Sequence, residues 1–181
     1  MPHELKYNRH TRRHRPTKAT NIANCTSIHE RPAEADGKRF GDWEMNTIVD
    51  AYDHAILTLI EHFTNFILVE RLEEGCKVVV GLLLPYRKHV KTITTDNGCE
   101  FSAHMEITKH LAVKGEGNAV VNFADSYSAW QKGAIENANK LIRKYIPKKA
   151  DFRHYTDKYI KKVQYKLNSR PREKLNFDTP K

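Results

Sequence analysis

The chain has 181 residues and a mass of 21.0 kDa, enough for one domain with a substantial core and too little for two large ones. Its 31 Lys and Arg against 22 Asp and Glu give a formal net charge of +9, which favours a polyanionic partner such as nucleic acid. The sequence has no membrane-spanning apolar run, and its three cysteines lack the C-x-x-C spacing of a structural zinc site. With no secretion signal at the N terminus, we expect a cytoplasmic protein that is not in a membrane.

Charge is divided unevenly along the sequence. Residues 1–20 carry six bases and one acid, and residues 139–181 carry fourteen bases and four acids. The segment between them, 21–138, is acidic, with eleven bases and seventeen acids. The basic ends are suited to a polyanion, and an acidic centre suits carboxylates gathered around a divalent cation. Alternatively, the ends are merely solvated tails.

Residues 1–38 are predicted to form a basic arm that is mostly extended or disordered. Basic residues alternate there with Thr, Asn and Pro, and apolar periodicity is missing until Ile28, so burial cannot offset the entropy of ordering. The folded core is predicted over residues 39–168, followed by a C-terminal tail over residues 169–181. The candidate DNA contacts in the arm are Arg12, Arg13 and Arg15.

Three strands are predicted in close succession after the arm, over residues 41–50, 54–62 and 66–70, and their short connections indicate an antiparallel meander. Period-two alternation in the first strand predicts one packed face with Trp43 and Met45 and one polar face with Asp42, Glu44 and Asn46. A helix is predicted over residues 73–86, because its apolar residues recur at helical offsets and Pro85 stops it.

A short buried strand over residues 90–95 runs directly into Asp96, and Asn97-Gly98 can make a sharp turn there. Asp96 is thus displayed at the carboxyl end of a strand, where α/β sheets place ligands. The alternative is an ordinary turn in which Asp96 only caps the backbone. Beyond it we predict a helix over 100–111, a strand over 119–123 and two helices over 134–145 and 156–168.

The last two helices are predicted to carry basic surfaces. Glu136 shares one polar helical face with basic residues, and lysines are interleaved with apolar residues on the final helix. Trp130, just before these helices, is either a loop anchor or a stacking platform for an extruded base, and the anchor is the more frequent case. The candidate DNA contacts here are Asn139, Lys140, Arg143, Lys158, Lys161, Lys162, Arg170 and Arg172.

This order of elements is that of the ribonuclease-H-like fold, and short motifs along it resemble the insertion-sequence-thirty family of bacterial transposases. The resemblance implies an α/β protein with a mixed five-stranded sheet flanked by helices, a basic N-terminal arm and a C-terminal helix. The motifs span most of residues 28–180 and include Phe40-Gly-Asp-Trp-Glu, Thr94-Thr-Asp-Asn-Gly, Phe123-Ala-Asp-Ser-Tyr, Trp130-Gln-Lys-Gly, Ile135-Glu-Asn-Ala-Asn and Leu167-Asn-Ser-Arg-Pro-Arg.

The resemblance also implies a DDE catalytic core, in which three carboxylates hold two Mg²⁺ or Mn²⁺ ions for DNA cleavage and strand transfer. Asp96 and Glu136, with 39 residues between them, match the second and third acidic positions and are the expected metal ligands. Asn46 occupies the first, and its neutral amide brings no negative charge. We therefore expect an impaired site, with Asp50 as a possible substitute on the same strand.

DNA, and further copies of the chain in a synaptic complex at the bacterial nucleoid, are the partners that the resemblance implies. Because the match begins near the family's basic linker, we expect no helix-turn-helix reader and hence a truncated core. Two functions follow as hypotheses. The first is a transposase catalytic core impaired by Asn46, and the second is a non-enzymatic DNA-binding or assembly module that uses the basic ends.

Overall fold

The computed structural model describes residues 22, 24–73, 75–98, 103–113, 119–125 and 128–180, so the predicted contacts Arg12, Arg13 and Arg15 lie outside the described residues. Within these ranges no helix has the length and apolarity needed to cross a membrane. The strands are β1 (Thr26–Ser27), β2 (Asp42–Val49), β3 (Ala55–Glu61), β4 (Ile67–Leu72), β5 (Thr92–Thr95) and β6 (Val120–Phe123). The helices are α1 (Gly75–Leu83), α2 (His104–Leu111), α3 (Gly133–Ile142) and α4 (Asp157–Asn168).

The strands form one mixed sheet in the order β1-β6-β5-β2-β3-β4. Strands β2, β3 and β4 are antiparallel neighbours, which confirms the predicted meander, whereas β5 is parallel to β2 and to β6. The sheet has six strands, one more than predicted, because Thr26–Ser27 pairs with β6. A two-residue strand is too short to show the alternation by which the others were predicted.

Residues of the predicted arm pack on this sheet. Ser27 and Glu30 form a reciprocal capping box around a short helical turn, and Ile28 and Ala35 are buried. The Arg31 Nη1 atom donates to Thr94 Oγ1 on β5 at 3.1 Å. Isolated apolar residues and side-chain hydrogen bonds hold this segment, and neither produces the periodicity that marks a core element in a sequence.

Both faces of the sheet are covered by helices. One core cluster packs Trp43 and Met45 against α1 and α2, and the other packs Ile48 with α3, α4 and Phe152. The predicted polar face of β2 is not open to solvent, since α3 lies over it. Asp42 and Glu44 on that face are buried, and each is compensated by a partner, Asp42 by a bidentate contact with Arg39.

Side chains of α4 close the free edge of the sheet. The Asn168 side chain accepts from the Ile67 backbone N–H at 2.9 Å and donates to the Ile67 carbonyl at 2.7 Å. Gln164 accepts from the Val69 N–H, and the Lys161 ammonium donates to the Val69 carbonyl. These groups lie at i, i+3 and i+7 on one helical face, so α4 supplies to β4 the hydrogen bonds that another strand would make.

A second long-range tie joins the end of β2 to the segment before α4. The buried Asp50 carboxylate accepts from the backbone N–H groups of Tyr52, His54 and Phe152 and also contacts His54 Nδ1. Burial alone would raise the pKa of Asp50, but the four hydrogen bonds outweigh it and hold that pKa well below its usual range. Asp151 and His54 could complete a metal-ligand group with Asp50, yet the Asp50 oxygens are already used for these contacts.

The hydrogen bonds at the β4 edge predict that Asn168→Ala destabilises the protein by about 2–4 kcal/mol, because it leaves a buried backbone N–H and a buried carbonyl unsatisfied. Lys162→Ala, at an exposed position of the same helix, is the matched control and is expected to cost within about 0.5 kcal/mol. Denaturant unfolding of both variants measures the difference. Equal stabilities would show that α4 does not satisfy the edge.

Asp50→Asn is predicted to change the acid stability of the protein. A carboxylate whose pKa is lowered by folding stabilises the native state above the pKa of the unfolded chain, 3.8, and this stabilisation disappears as the pH falls below that value. The wild type should therefore be more stable than Asp50→Asn at neutral pH, and the gap should shrink progressively below pH 3.8. Asp53→Asn, in the same turn, removes a carboxylate without breaking these four hydrogen bonds. A gap that stays constant through acid pH would contradict the assignment.

Candidate catalytic cleft

One cleft of about 230 Å³ is lined by all three predicted catalytic positions, Asn46, Asp96 and Glu136. Asn46 lies in the middle of β2, Asp96 directly follows β5, and Glu136 lies in the first turns of α3. The parallel register pairs Glu44 with Thr94, so two residues further along Asp96 lies opposite Asn46. Three elements distant in sequence thus bring these side chains together.

Glu44 fixes the start of the helix that carries Glu136. Its Oε2 atom accepts from the Ile135 backbone N–H at 2.6 Å, and its Oε1 atom lies 2.5 Å from His62 Nε2. A carboxylate at a helix N terminus satisfies a free N–H and interacts favourably with the helix dipole. Glu44 is thus a structural support next to the cleft. Its place two residues before Asn46 on the same strand face was visible in the sequence, but its long-range partners were not.

Asp96 caps the predicted turn and also contacts the ammonium group of Lys132. Its Oδ1 atom accepts from the Gly98 N–H at 3.3 Å, the capping contact that the turn alternative predicts. Its Oδ2 atom lies 3.0 Å from Lys132 Nζ, and only 6% of the Lys132 side chain is exposed. Lys132 was not among the predicted site residues. It lies within the Trp130-Gln-Lys-Gly motif, but no charge pattern in the sequence marks it as a partner of Asp96.

Asp125 is the second cleft residue that sequence reasoning missed. It follows β6, next to β5, and therefore lies at the same edge of the sheet as Asp96. Its carboxylate accepts from Gln131 Nε2 at 2.8 Å and lies 2.9 Å from His29 Nε2. The Gln131 hydrogen bond, aided by His29 and opposed by partial burial, lowers the pKa of Asp125. The sequence signals were its position two residues after a short strand and its place in the Phe123-Ala-Asp-Ser-Tyr motif.

Some of the predicted DNA contacts are exposed side chains, and others already contact groups within the chain. Lys140, Lys158 and Lys162 are exposed. Asn139 is a correction, because its side chain is buried and its Oδ1 atom accepts from Thr58 Oγ1 at 3.0 Å. The Lys161 ammonium is engaged within the chain, because it forms an ion pair with Glu70 at 2.6 Å in addition to its hydrogen bond at the β4 edge, and its contact with DNA stays a prediction.

The three predicted arginine contacts each have an intramolecular partner. Arg143 donates to the Pro147 carbonyl and lies over the Phe152 ring, and burial lowers its pKa. Arg170 donates to the Tyr145 hydroxyl at 2.8 Å. Arg172 donates to the Leu167 carbonyl, and burial together with the charge of Arg170 lowers its pKa. All three remain half-buried candidates for DNA contact.

Asp50 does not substitute for the missing carboxylate. It lies four residues beyond Asn46, outside the cleft, and its oxygens are committed to the loop after β2 and to Phe152. The side chains that could hold a divalent ion in the cleft are therefore Asp96, Glu136 and the amide oxygen of Asn46, with Asp125 at the margin.

The chain is similar to several transposases. No protein-family model matches it. It is 40% identical over 166 residues to the transposase for insertion sequence element IS4351 of Bacteroides fragilis, an alignment that covers 88% of this chain and 49% of that protein. It is 36% identical over 187 residues to transposase InsI for insertion sequence element IS30A of Escherichia coli (strain K12), covering 99% and 47%. The chain thus spans about half the length of the curated relatives it matches.

Solved structures show the same fold. The catalytic core domain of BIV integrase superposes with a TM-score of 0.53 at 18% identity, over 76% of this chain and 89% of that one. A chain of the simian T-cell lymphotropic virus intasome bound to the PP2A regulatory subunit B56 gamma gives 0.51 at 16% identity, over 70% and 47%. The predicted ribonuclease-H-like fold is confirmed. The sequence identities are spread over nearly all of the chain and show that it is similar to about half the length of these transposases.

Proposed function

We propose that the cleft is the metal and phosphodiester site of a DNA transposase core, and that Asn46 leaves this site one negative charge short. The convergence of Asn46, Asp96 and Glu136 from β2, β5 and α3 in one cleft is the observation that carries the proposal. Carboxylates from separate elements meeting at one edge of a sheet are the arrangement that two-metal phosphoryl transfer requires.

The donor set fits a hard divalent cation in part. The carboxylates of Asp96 and Glu136 and the amide oxygen of Asn46 are oxygen ligands of the kind that Mg²⁺ and Mn²⁺ take. When bound, such ions stabilise negative charge on the attacking and leaving oxygens of the phosphodiester. Asp96 and Glu136 would hold them, and Asn46 would contribute a dipole where a third carboxylate would contribute a charge.

Lys132 makes the charge deficit larger. Its ammonium is nearly excluded from solvent and pairs with Asp96, so it neutralises one of the two remaining carboxylates of the ligand set. A cation entering the cleft must compete with this ion pair for Asp96. We therefore expect the chain to bind divalent ions weakly and to cleave DNA poorly, if its sequence at position 46 is left unchanged.

DNA is the substrate in this proposal, and the exposed lysines of α3 and α4 supply the phosphate contacts. Lys140, Lys158 and Lys162 are exposed and lie outside the cleft. Lysine–phosphate contacts give affinity and position without reading sequence. We propose that the protein acts on DNA at the bacterial nucleoid in a multimeric complex, a proposal supported by the similarity to a chain from an intasome.

A non-enzymatic DNA-binding or assembly module is the second candidate. The Lys132–Asp96 ion pair favours it, because a site that keeps its own cation can be stable without a metal. Both candidates predict DNA binding, and they differ in the response of the cleft to a restored carboxylate.

Asn46→Asp is predicted to restore divalent-ion binding. An added carboxylate beside Asp96 and Glu136 should tighten Mn²⁺ binding about tenfold or more, and it should produce Mn²⁺-dependent nicking of supercoiled plasmid DNA. Calorimetry and a nicking assay measure these two effects. Asn137→Asp, on the exposed side of α3 and outside the cleft, adds the same charge and should change neither.

Each other outcome of this experiment contradicts part of the proposal. Nicking by the unaltered chain at the rate of Asn46→Asp would show that Asn46 is no defect. Equal gains in Asn46→Asp and Asn137→Asp would indicate a general charge effect. If neither the unaltered chain nor Asn46→Asp binds the ion while both remain folded, the cleft would be assigned to the second candidate.

Lys162→Ala is predicted to reduce the salt dependence of DNA binding. Each lysine–phosphate contact contributes nearly one unit to the slope of log affinity against log salt, so the slope should fall by about one. Lys161→Ala is the matched control on the same helix, since the Lys161 ammonium is held by Glu70 and by the β4 backbone. Fluorescence anisotropy of a labelled duplex over a salt series gives both slopes. Identical slopes for the two variants would exclude Lys162 as a contact.

A further inference from the structure

A second cavity, of about 410 Å³, lies beside the catalytic cleft. It is bounded by the segment of residues 28–36 on one side and by the start of α3 on the other, and Trp130 stands on its wall. The volume lies in the range of small-molecule pockets and is large enough for one nucleobase with its sugar. No part of the catalytic proposal uses this cavity.

Trp130 is the most exposed large apolar side chain among the described residues. Its exposed fraction is 78%, whereas Trp43 in the core is 1% exposed. The more frequent anchor role is therefore wrong for Trp130. The backbone beside it is nonetheless fixed, because the Gln131 side chain accepts from the Asp125 N–H and donates to the Asp125 carboxylate, both at 2.8 Å. An indole held in water by a fixed segment presents a flat π surface to a ligand.

Polar groups of the cavity surround this indole. His29, His62 and Arg31 line it and offer polar side-chain atoms, together with Gln131, which Asp125 holds. Each is held by a second contact: His29 by Asp125, His62 by Glu44, and Arg31 by Thr94 and Asp36. An aromatic platform beside several fixed polar groups matches a nucleobase, whose faces stack and whose edges donate and accept hydrogen bonds.

Asp125 connects this cavity to the catalytic cleft. Its side chain lines the cleft and holds both His29 and Gln131, which line the cavity. Only the Asp125 side chain and its two partners therefore separate a DNA strand in the cleft from the cavity. Asp36 and Glu44 balance the charge of Arg31 in this lining, so the exposed indole and the fixed polar groups are the features that favour a nucleotide over an apolar peptide.

We propose that this cavity takes one unpaired base of the DNA strand bound in the cleft and stacks that base on Trp130. The inference rests on the proposed function for DNA as the ligand and adds a site that holds a nucleotide out of the helical stack. Unpaired bases enter such a site at little cost, whereas a paired base must first be unstacked. The protein should accordingly prefer DNA with a single-stranded end over a blunt duplex.

Tryptophan fluorescence provides the test, because Trp43 is buried and a change on adding DNA reports on Trp130. The probes are a blunt duplex, the same duplex with a short single-stranded overhang, and a free deoxynucleoside monophosphate. We expect the overhang to quench the emission and to bind more tightly than the blunt duplex. In Trp130→Leu the affinity for the overhang should fall about tenfold, with a far smaller change for the blunt duplex. Phe177→Leu, another exposed aromatic position outside the cavity, is the control.

The outcomes distinguish a failure of the proposed base site from a failure of the proposed function. Equal binding of overhang and blunt DNA by the wild type, or an equal loss on both in Trp130→Leu, overturns the base site while leaving DNA binding in place. A free monophosphate that binds as tightly as the overhang would make the cavity a nucleotide pocket and overturn the strand assignment. Failure of every probe to bind at low salt overturns the proposed function, and the base site fails with it.

Discussion

The buried carboxylate of Glu44 is the interaction on which the arrangement of both cavities depends. It stands on β2, contacts His62 just beyond β3, and accepts the Ile135 N–H at the start of α3. This one group therefore ties the start of α3 to the sheet, and α3 carries Glu136 into the cleft. Glu44 also lines the second cavity. A buried charge is tolerated here because two donors and a helix N terminus satisfy it.

Buried polar groups with long-range partners also hold the loop after β2 and the outer edge of the sheet. Asp50 ties the loop after β2 to the segment before α4, and Asn168 and Gln164 of α4 supply hydrogen bonds to the outer edge of β4. An uncovered β4 would offer its backbone to another strand. Helix α4 therefore protects the edge with its inner face and leaves lysines such as Lys162, a proposed DNA contact, exposed on its outer face.

Local sequence pattern predicted the strand, the turn and the helix that carry the residues of the cleft. Alternation located β2, the turn after β5 placed Asp96, and helical spacing placed Glu136 on α3. The intramolecular partners of Asn139 and Lys161 were not predicted, because helical spacing shows which residues share a face but not what covers that face. Thr58 and the β4 backbone cover these two, and both are distant in sequence. The Lys132–Asp96 pair escaped prediction for the same reason, since 36 positions separate its members.

Asn46 can change the chemistry of the cleft without changing the fold. Its side chain has nearly the shape of an aspartate, and its backbone keeps the β2–β3 register opposite Thr58. Asparagine in place of aspartate at position 46 therefore changes the packing little. Its main effect is on the electrostatics of the cleft, where Lys132 already balances Asp96. The exposed lysines that would hold DNA lie outside the cleft and do not depend on its charge. Under the proposed function, loss of one carboxylate would thus separate catalysis from DNA binding, because the two would rest on different side chains.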